Sequence, residues 1–94
     1  MRATLDEITL AESETTEMVE GSHSFPPESI DRTRFEESGT HTTCPWKGVA
    51  SYYHVWADNG LARDAAWYYP VPKPEAAKIA SQVAFYANKV RIGE

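Results

Sequence analysis

One cysteine, three histidines and a short run of basic and aromatic side chains are the groups of this chain with chemistry to offer. Cys44 is the candidate nucleophile. A thiolate forms when a neighbouring cation or base lowers the thiol's pKa, and His41 and Lys47 flank Cys44 three residues away on either side. His41 could equally act as an acid or base, with Lys47 stabilising an anion. Tyr52, Trp67 and Tyr69 could stack a planar molecule, with His23, His41 or Lys47 giving polar recognition. The spacing of His23, His41 and His54 fits no metal-ligand motif, so no metal and no cofactor is expected. The five glycines are isolated, and none forms a phosphate-cradling loop before a helix. Each group also has a plainer reading. Cys44 could be a small core thiol, the rings could fill the core of a small β domain, and the acidic clusters could be solvated faces.

The elements that must position these groups read mainly as strands. Residues 3–5 and 8–10 flank Asp6-Glu7, and a two-residue turn there pairs Leu5 with Ile8 and Ala3 with Leu10. Residues 15–20 read as a half-exposed strand ended by Gly21. Residues 22–39 read as a loop with one short helical turn begun by Pro27, because Pro26 and Pro27 cannot donate to a ladder. Ile30 and Phe35 anchor that loop. Residues 40–44, 49–57 and 62–69 read as three strands, joined by a turn at 45–48 and by Asn59-Gly60, the strongest hairpin dipeptide present. Pro74 opens a short helix to residue 80. Residues 83–86 and 90–92 read as a closing hairpin.

Register then predicts faces. A two-residue Asn59-Gly60 turn sets Trp56 opposite Arg63, His54 opposite Ala65, Tyr52 opposite Trp67 and Ala50 opposite Tyr69, all on one aromatic face. Arg63 over Trp56 would be a cation–π pair. A four-residue turn at 45–48 pairs Cys44 with Val49, Thr43 with Ala50 and His41 with Tyr52. That puts His41 on the aromatic face and Cys44 on the other.

Composition bounds the rest. The chain has 94 residues, enough for one small domain spanning 1–94. Its net charge of −5 argues against nucleic acid and an anionic membrane surface as partners. No run of 18 apolar residues predicts a membrane span, and residues 1–7 carry no apolar leader segment. A lone cysteine makes no internal disulfide and suits a reducing, cytoplasmic setting. Nine of the eleven aromatic residues lie between Trp46 and Tyr86, so the second half reads as the core builder. The fold class is mainly β, at the margin of α+β, with antiparallel strands, hairpins and one or two short helices.

The run from His23 to Ser29, the run from Thr40 to Tyr53, the Asp64–Pro70 segment and Val83-Ala84-Phe85-Tyr86 together resemble the domain-of-unknown-function (DUF) family 427. The resemblance covers essentially the whole chain, and its Cys-Pro-aromatic-Lys-Gly turn and Trp-aromatic-Tyr-Pro segment are specific. It implies a small, predominantly β domain with short helices and no established activity. The recurrent positions it carries over are His23, Pro26, His41, Cys44, Pro45, Lys47, Gly48, Tyr52, Trp67, Tyr69 and Pro70. A nucleotidyltransferase-type label sometimes attached to the family finds no support, since no Gly-Ser motif is followed by paired Asp residues. Asp6-Glu7 departs from the Asn-Gly common at the first turn.

Three readings of function follow. The first is a binding module that holds a small planar or anionic molecule, with His23, Tyr52, Trp67 and Tyr69 as contacts. The second is a small enzyme using Cys44 or His41 with Lys47. The third is a structural protein that forms a homodimer through an exposed strand such as 15–20.

Overall fold

Left-handed turn residues set the first strands. The computed structural model describes residues 1–58 and 60–94. Asp6 and Glu7 have φ of 52° and 66°, the pattern of the hairpin turn that matches strand twist. They join β1 (Arg2–Leu5) to β2 (Ile8–Glu12). Leu5 pairs with Ile8 as expected, but a bulge after Ala3 sets that residue opposite Ala11 rather than Leu10. A second turn of the same hand, Glu20-Gly21 with φ of 51° and 83°, joins β3 (Glu17–Val19) to β4 (Ser22–Phe25).

β4 corrects the expected loop at 22–39. Pro26 and Pro27 end a strand that is already complete. Two 3₁₀ turns follow, Pro27–Ser29 and Arg32–Arg34, the second capped by Asp31, whose carboxylate accepts from the Thr33 N–H at 3.2 Å. β5 (Phe35–Cys44) begins five residues before the expected start. β6 (Gly48–Ala57) and β7 (Gly60–Tyr68) come next, then a 3₁₀ helix Pro74–Ile79, β8 (Val83–Phe85) and β9 (Arg91–Gly93). The strands form two antiparallel sheets, ordered β3-β4-β8-β7-β6-β5 and β2-β1-β9. The expected closing hairpin is therefore not formed. β8 lies between β4 and β7, and β9 pairs with β1, because a turn in which the Lys89 and Val90 N–H groups both donate to the Tyr86 carbonyl at 2.9 Å redirects the chain.

Register decides which side chains share a face. β6 and β7 pair as predicted at Ser51–Tyr68, Tyr52–Trp67 and Tyr53–Ala66. Nearer the turn the pairing shifts by two, giving Val55–Ala62, Trp56–Leu61 and Ala57–Gly60. Part of the predicted Asn59-Gly60 turn lies outside the described residues, since Asn59 is not among them. The observed pairs replace Trp56–Arg63, Val55–Asp64 and Ala57–Ala62, and β7 accommodates two extra residues opposite His54. Two residues are one full pleat, so the faces survive. The β5–β6 turn differs more consequentially. Cys44 pairs with Gly48 and His41 with Ser51, so the turn spans three residues and the register slips by one. A one-residue slip exchanges faces: Thr42 and Cys44 join the Ala50–Tyr52 face, and His41 leaves it.

Each face of the large sheet has its own core. One, with Phe25, Tyr53, Val55, Ala66, Val83 and Phe85, is covered by the small sheet through Ala3, Leu10 and Ala11. The other, with Ala50, Tyr52 and Tyr69, is covered by Ala76 and Ile79 of the last 3₁₀ helix and joined by Val19, Cys44 and Trp67. The Cα radius of gyration of 12.4 Å matches one folded unit of this length.

Phe25 is fully buried and meets the Phe85 ring edge-on at 5.6 Å. Chemical denaturation of Phe25→Ala should show a loss of about 3–5 kcal/mol. Glu7→Gly should instead add about 1 kcal/mol by relieving a left-handed non-glycine residue.

Candidate functional site

The cleft arises from a row of paired side chains across the large sheet. Ser24 of β4 pairs with Ala84 of β8, Ala84 with Trp67 of β7, and Trp67 with Tyr52 of β6. Two small residues followed by two large rings leave space above Ser24 and Ala84, walled by Trp67. Tyr69, Ile79, Gln82 and, from the β3–β4 hairpin, Val19, Glu20 and Ser22 complete its lining. Lys47 enters from the β5–β6 turn. The cavity measures about 140 Å³, close to the ~150 Å³ that holds one benzene ring and well below the ~300–1,000 Å³ of sites for drug-sized ligands.

Lys47 is its electrostatic centre. The residue is only 7% exposed. Its ammonium lies 5.5 Å from the Trp46 ring centroid and 5.2 Å from that of Tyr69, and donates to the Glu20 carboxylate. The cation–π contacts thus form here; the one expected between Arg63 and Trp56 is replaced by the Trp56–Leu61 pairing, with the Trp56 indole donating to Glu36 at 3.2 Å. Burial pulls the Lys47 pKa down, but the Glu20 hydrogen bond and the nearby Tyr69, Glu20 and Cys44 charges outweigh it, so the net direction is up. Glu20 moves the opposite way, lowered by its hydrogen bond from Lys47, by that charge, and by the Trp46 side chain. Burial raises the Tyr69 phenol against the opposing pull of Lys47.

Of the residues singled out from sequence, Lys47, Trp67 and Tyr69 meet in this cleft. Tyr52 stands beside Trp67 but outside the cavity, its hydroxyl 2.9 Å from Thr42 Oγ1. Cys44 packs against the same core cluster. His41 is exposed, with Nδ1 3.4 Å from Ser51 Oγ on the far face, so it does not share a face with Cys44 or Tyr52. His23 alternates with Ser22 and Ser24 along β4, and its Nδ1 lies 2.8 Å from Thr16 Oγ1. The structure therefore does not bring His23, His41 and Cys44 into one constellation. Among the described residues, no three His, Cys, Asp or Glu side chains converge on a point that could hold a metal.

Sequence reasoning missed Ser24, Gln82 and Glu20. Ser24 is a buried polar residue on the cleft floor. Gln82 donates through Nε2 to the Lys78 carbonyl at 3.2 Å, while its Oε1 is buried with no partner among the described residues. The Glu20-Gly21 pair was the available signal: a turn there makes β4 a strand and aims Glu20 at the next turn.

A second polar cluster holds the bulges in place. Asp64, at φ 48°, donates its N–H to His54 Nδ1 at 3.0 Å. Its carboxylate accepts from Ser38 at 2.5 Å and Thr40 at 2.9 Å, across β6. The Ser38 bond leads the causes that hold the Asp64 pKa low.

Glu20, held below its ordinary 4.5, stabilises the fold above that pH and stops doing so as pH falls through its lower native pKa. Lys47, held above its ordinary 10.5, stabilises below that pH and stops as pH rises through its higher native pKa. The stability gap between wild type and Glu20→Gln, measured by denaturant unfolding against pH, should be widest in the neutral range. It should close progressively below pH 4.5 and above pH 10.5.

Residues 1–94 match a protein family described as a domain of unknown function (DUF427). The chain belongs to that family. No curated protein matches it.

Proposed function

We propose that this member of the DUF427 family is a binding module, and that the cleft between Trp67, Tyr69 and Lys47 receives one small planar molecule of about a single ring. The carrying observation is the cavity of about 140 Å³ itself, in which the rings of Trp67 and Tyr69 meet the buried Lys47 and Ser24. Trp67 and Tyr69 supply apolar ring surface, while Ser24 and Lys47 supply polar recognition. The cavity's volume suits one ring better than a fused three-ring system such as a flavin.

Cys44 supports a second reading, nucleophilic catalysis beside Lys47. The thiol is only partly exposed and lies near enough for its negative form to favour the Lys47 ammonium. With His41 on the far face, Lys47 is the cation left to assist it. Alkylation of native Cys44 at neutral pH faster than that of the unfolded chain would favour this reading, and slower alkylation would exclude it.

Ala84 is 3% exposed on the cleft floor. Ala84→Leu should fill the cavity while leaving the sheet intact. Native mass spectrometry of untagged protein, purified without added ligand, should show a small-molecule adduct on wild type and none on Ala84→Leu at equal thermal stability. A bare wild-type mass, or an adduct kept by the filled variant, would contradict the reading.

A further inference from the structure

The two partners of the Lys47–Glu20 pair differ sharply in how firmly they are held. The Lys47 side chain is 9% exposed and that of Glu20 is 59% exposed. Lys47 is fixed through its backbone. Its carbonyl accepts from the Lys73 N–H at 2.9 Å, and the next residue, Gly48 at φ 111°, lies under the segment 71–73, where a Cβ would sit 3.5 Å from the Val71 carbonyl oxygen. Rings bound the ammonium on two sides. An ammonium has three N–H donors; Glu20 accepts one of them, and the Tyr69 side chain lies near enough to share the same charge. Glu20 stands on a two-residue turn at the cleft mouth, with a long side chain largely in water.

Lys47 is thus seated in the cleft by a clamped backbone and flanking rings, and a buried ammonium needs an anion beside it. Glu20 can leave: its side chain is 59% exposed, so water can replace the Lys47 ammonium and the Trp46 side chain as its partners. Glu20 and Lys47 are the two charged residues that line the cleft among the described residues. Any anion of carboxylate geometry entering the cleft would find the same donors, together with the Trp67 and Tyr69 rings that Glu20 does not use.

We propose, resting on the binding reading above, that the ligand is a small ring-bearing carboxylic acid whose carboxylate displaces Glu20 from Lys47, so that Glu20 is a built-in competitor and gate for the site. The exchange swaps one carboxylate for another at the ammonium, so the buried charge is never left alone. Ring burial between Trp67, Tyr69 and Ile79 supplies the net gain. Lys47 thereby selects for anions, and Glu20 sets the threshold an anion must exceed; a neutral molecule of the same shape leaves Glu20 in place and gains nothing from Lys47.

The test uses 4-hydroxybenzoate and its neutral counterpart 4-hydroxybenzamide, titrated into the full chain and into Glu20→Gln with amide NMR shifts of the cleft residues as readout. Removing the competitor should tighten 4-hydroxybenzoate about tenfold, the scale of one displaced ion-pair interaction. The amide should change by less than about twofold, since it does not compete for Lys47. Equal changes for both probes, or no change for either, would overturn the gate while leaving the cleft a binding site. No shifts from either probe in either protein would overturn the cleft reading and the gate with it. Should Glu20→Gln fail to fold, the ¹³C carboxyl resonance of Glu20 in wild type decides. It should move towards that of a free, solvated glutamate with 4-hydroxybenzoate and stay fixed with the amide; a resonance that stays fixed at saturating 4-hydroxybenzoate would overturn the proposal.

Discussion

A lysine ammonium that has left bulk water has to be answered by an opposite charge, and this fold is arranged around that demand at Lys47. The β5–β6 turn drives the side chain inward, the segment 71–73 holds the turn down, and Trp46 and Tyr69 form a low-polarity collar around the charge. The answering carboxylate comes from another hairpin tip, Glu20, some 27 positions away in sequence. A hydrophobic replacement of such a pair is often neutral or stabilising. Stability alone is therefore a weak reason for placing a lysine here, and a role at the cleft is a stronger one.

The space beside Lys47 is a consequence of the sheet. Strand alternation sends Phe25 and Phe85 to one face and Ser24 and Ala84 to the other. The same backbone thus builds a dense aromatic core against the small sheet and a vacancy on the opposite side. The bulges in β5 and β7 keep the long strands compatible with this arrangement. Each adds two residues, which preserves the faces, and Asp64 ties the two across β6.

Much of this was legible in the residues. The aromatic pairing of Tyr52 with Trp67, the first hairpin and the turn at Pro45 follow from alternation and turn chemistry, and Lys47, Trp67 and Tyr69 were picked out as chemistry-bearing. What could not be read was register to one residue. Whether the Pro45 turn holds three residues or four depends on the long-range clasp between Lys47 and Lys73, and that one residue moves His41 off the aromatic face and Cys44 onto it. The Phe25-Pro26-Pro27 run also masked β4, since a strand of four residues leaves little pattern before two prolines stop it. Without β4, neither Ser24 nor the approach of Glu20 to Lys47 could be foreseen. The destination of β8 depended on its contact with β4, far from it in sequence, as well as with β7, the strand that precedes it.

The claim on which the account rests is that Lys47 is buried, charged and sustained by Glu20. Side-chain NMR of the Lys47 ε position, followed through an alkaline titration of the wild-type chain, addresses it directly. The account predicts a midpoint above the ordinary 10.5, with the ammonium persisting in the cleft after solvent-exposed lysines have lost their protons. A midpoint at or below 10.5 would mean that burial outweighs Glu20, and would contradict it.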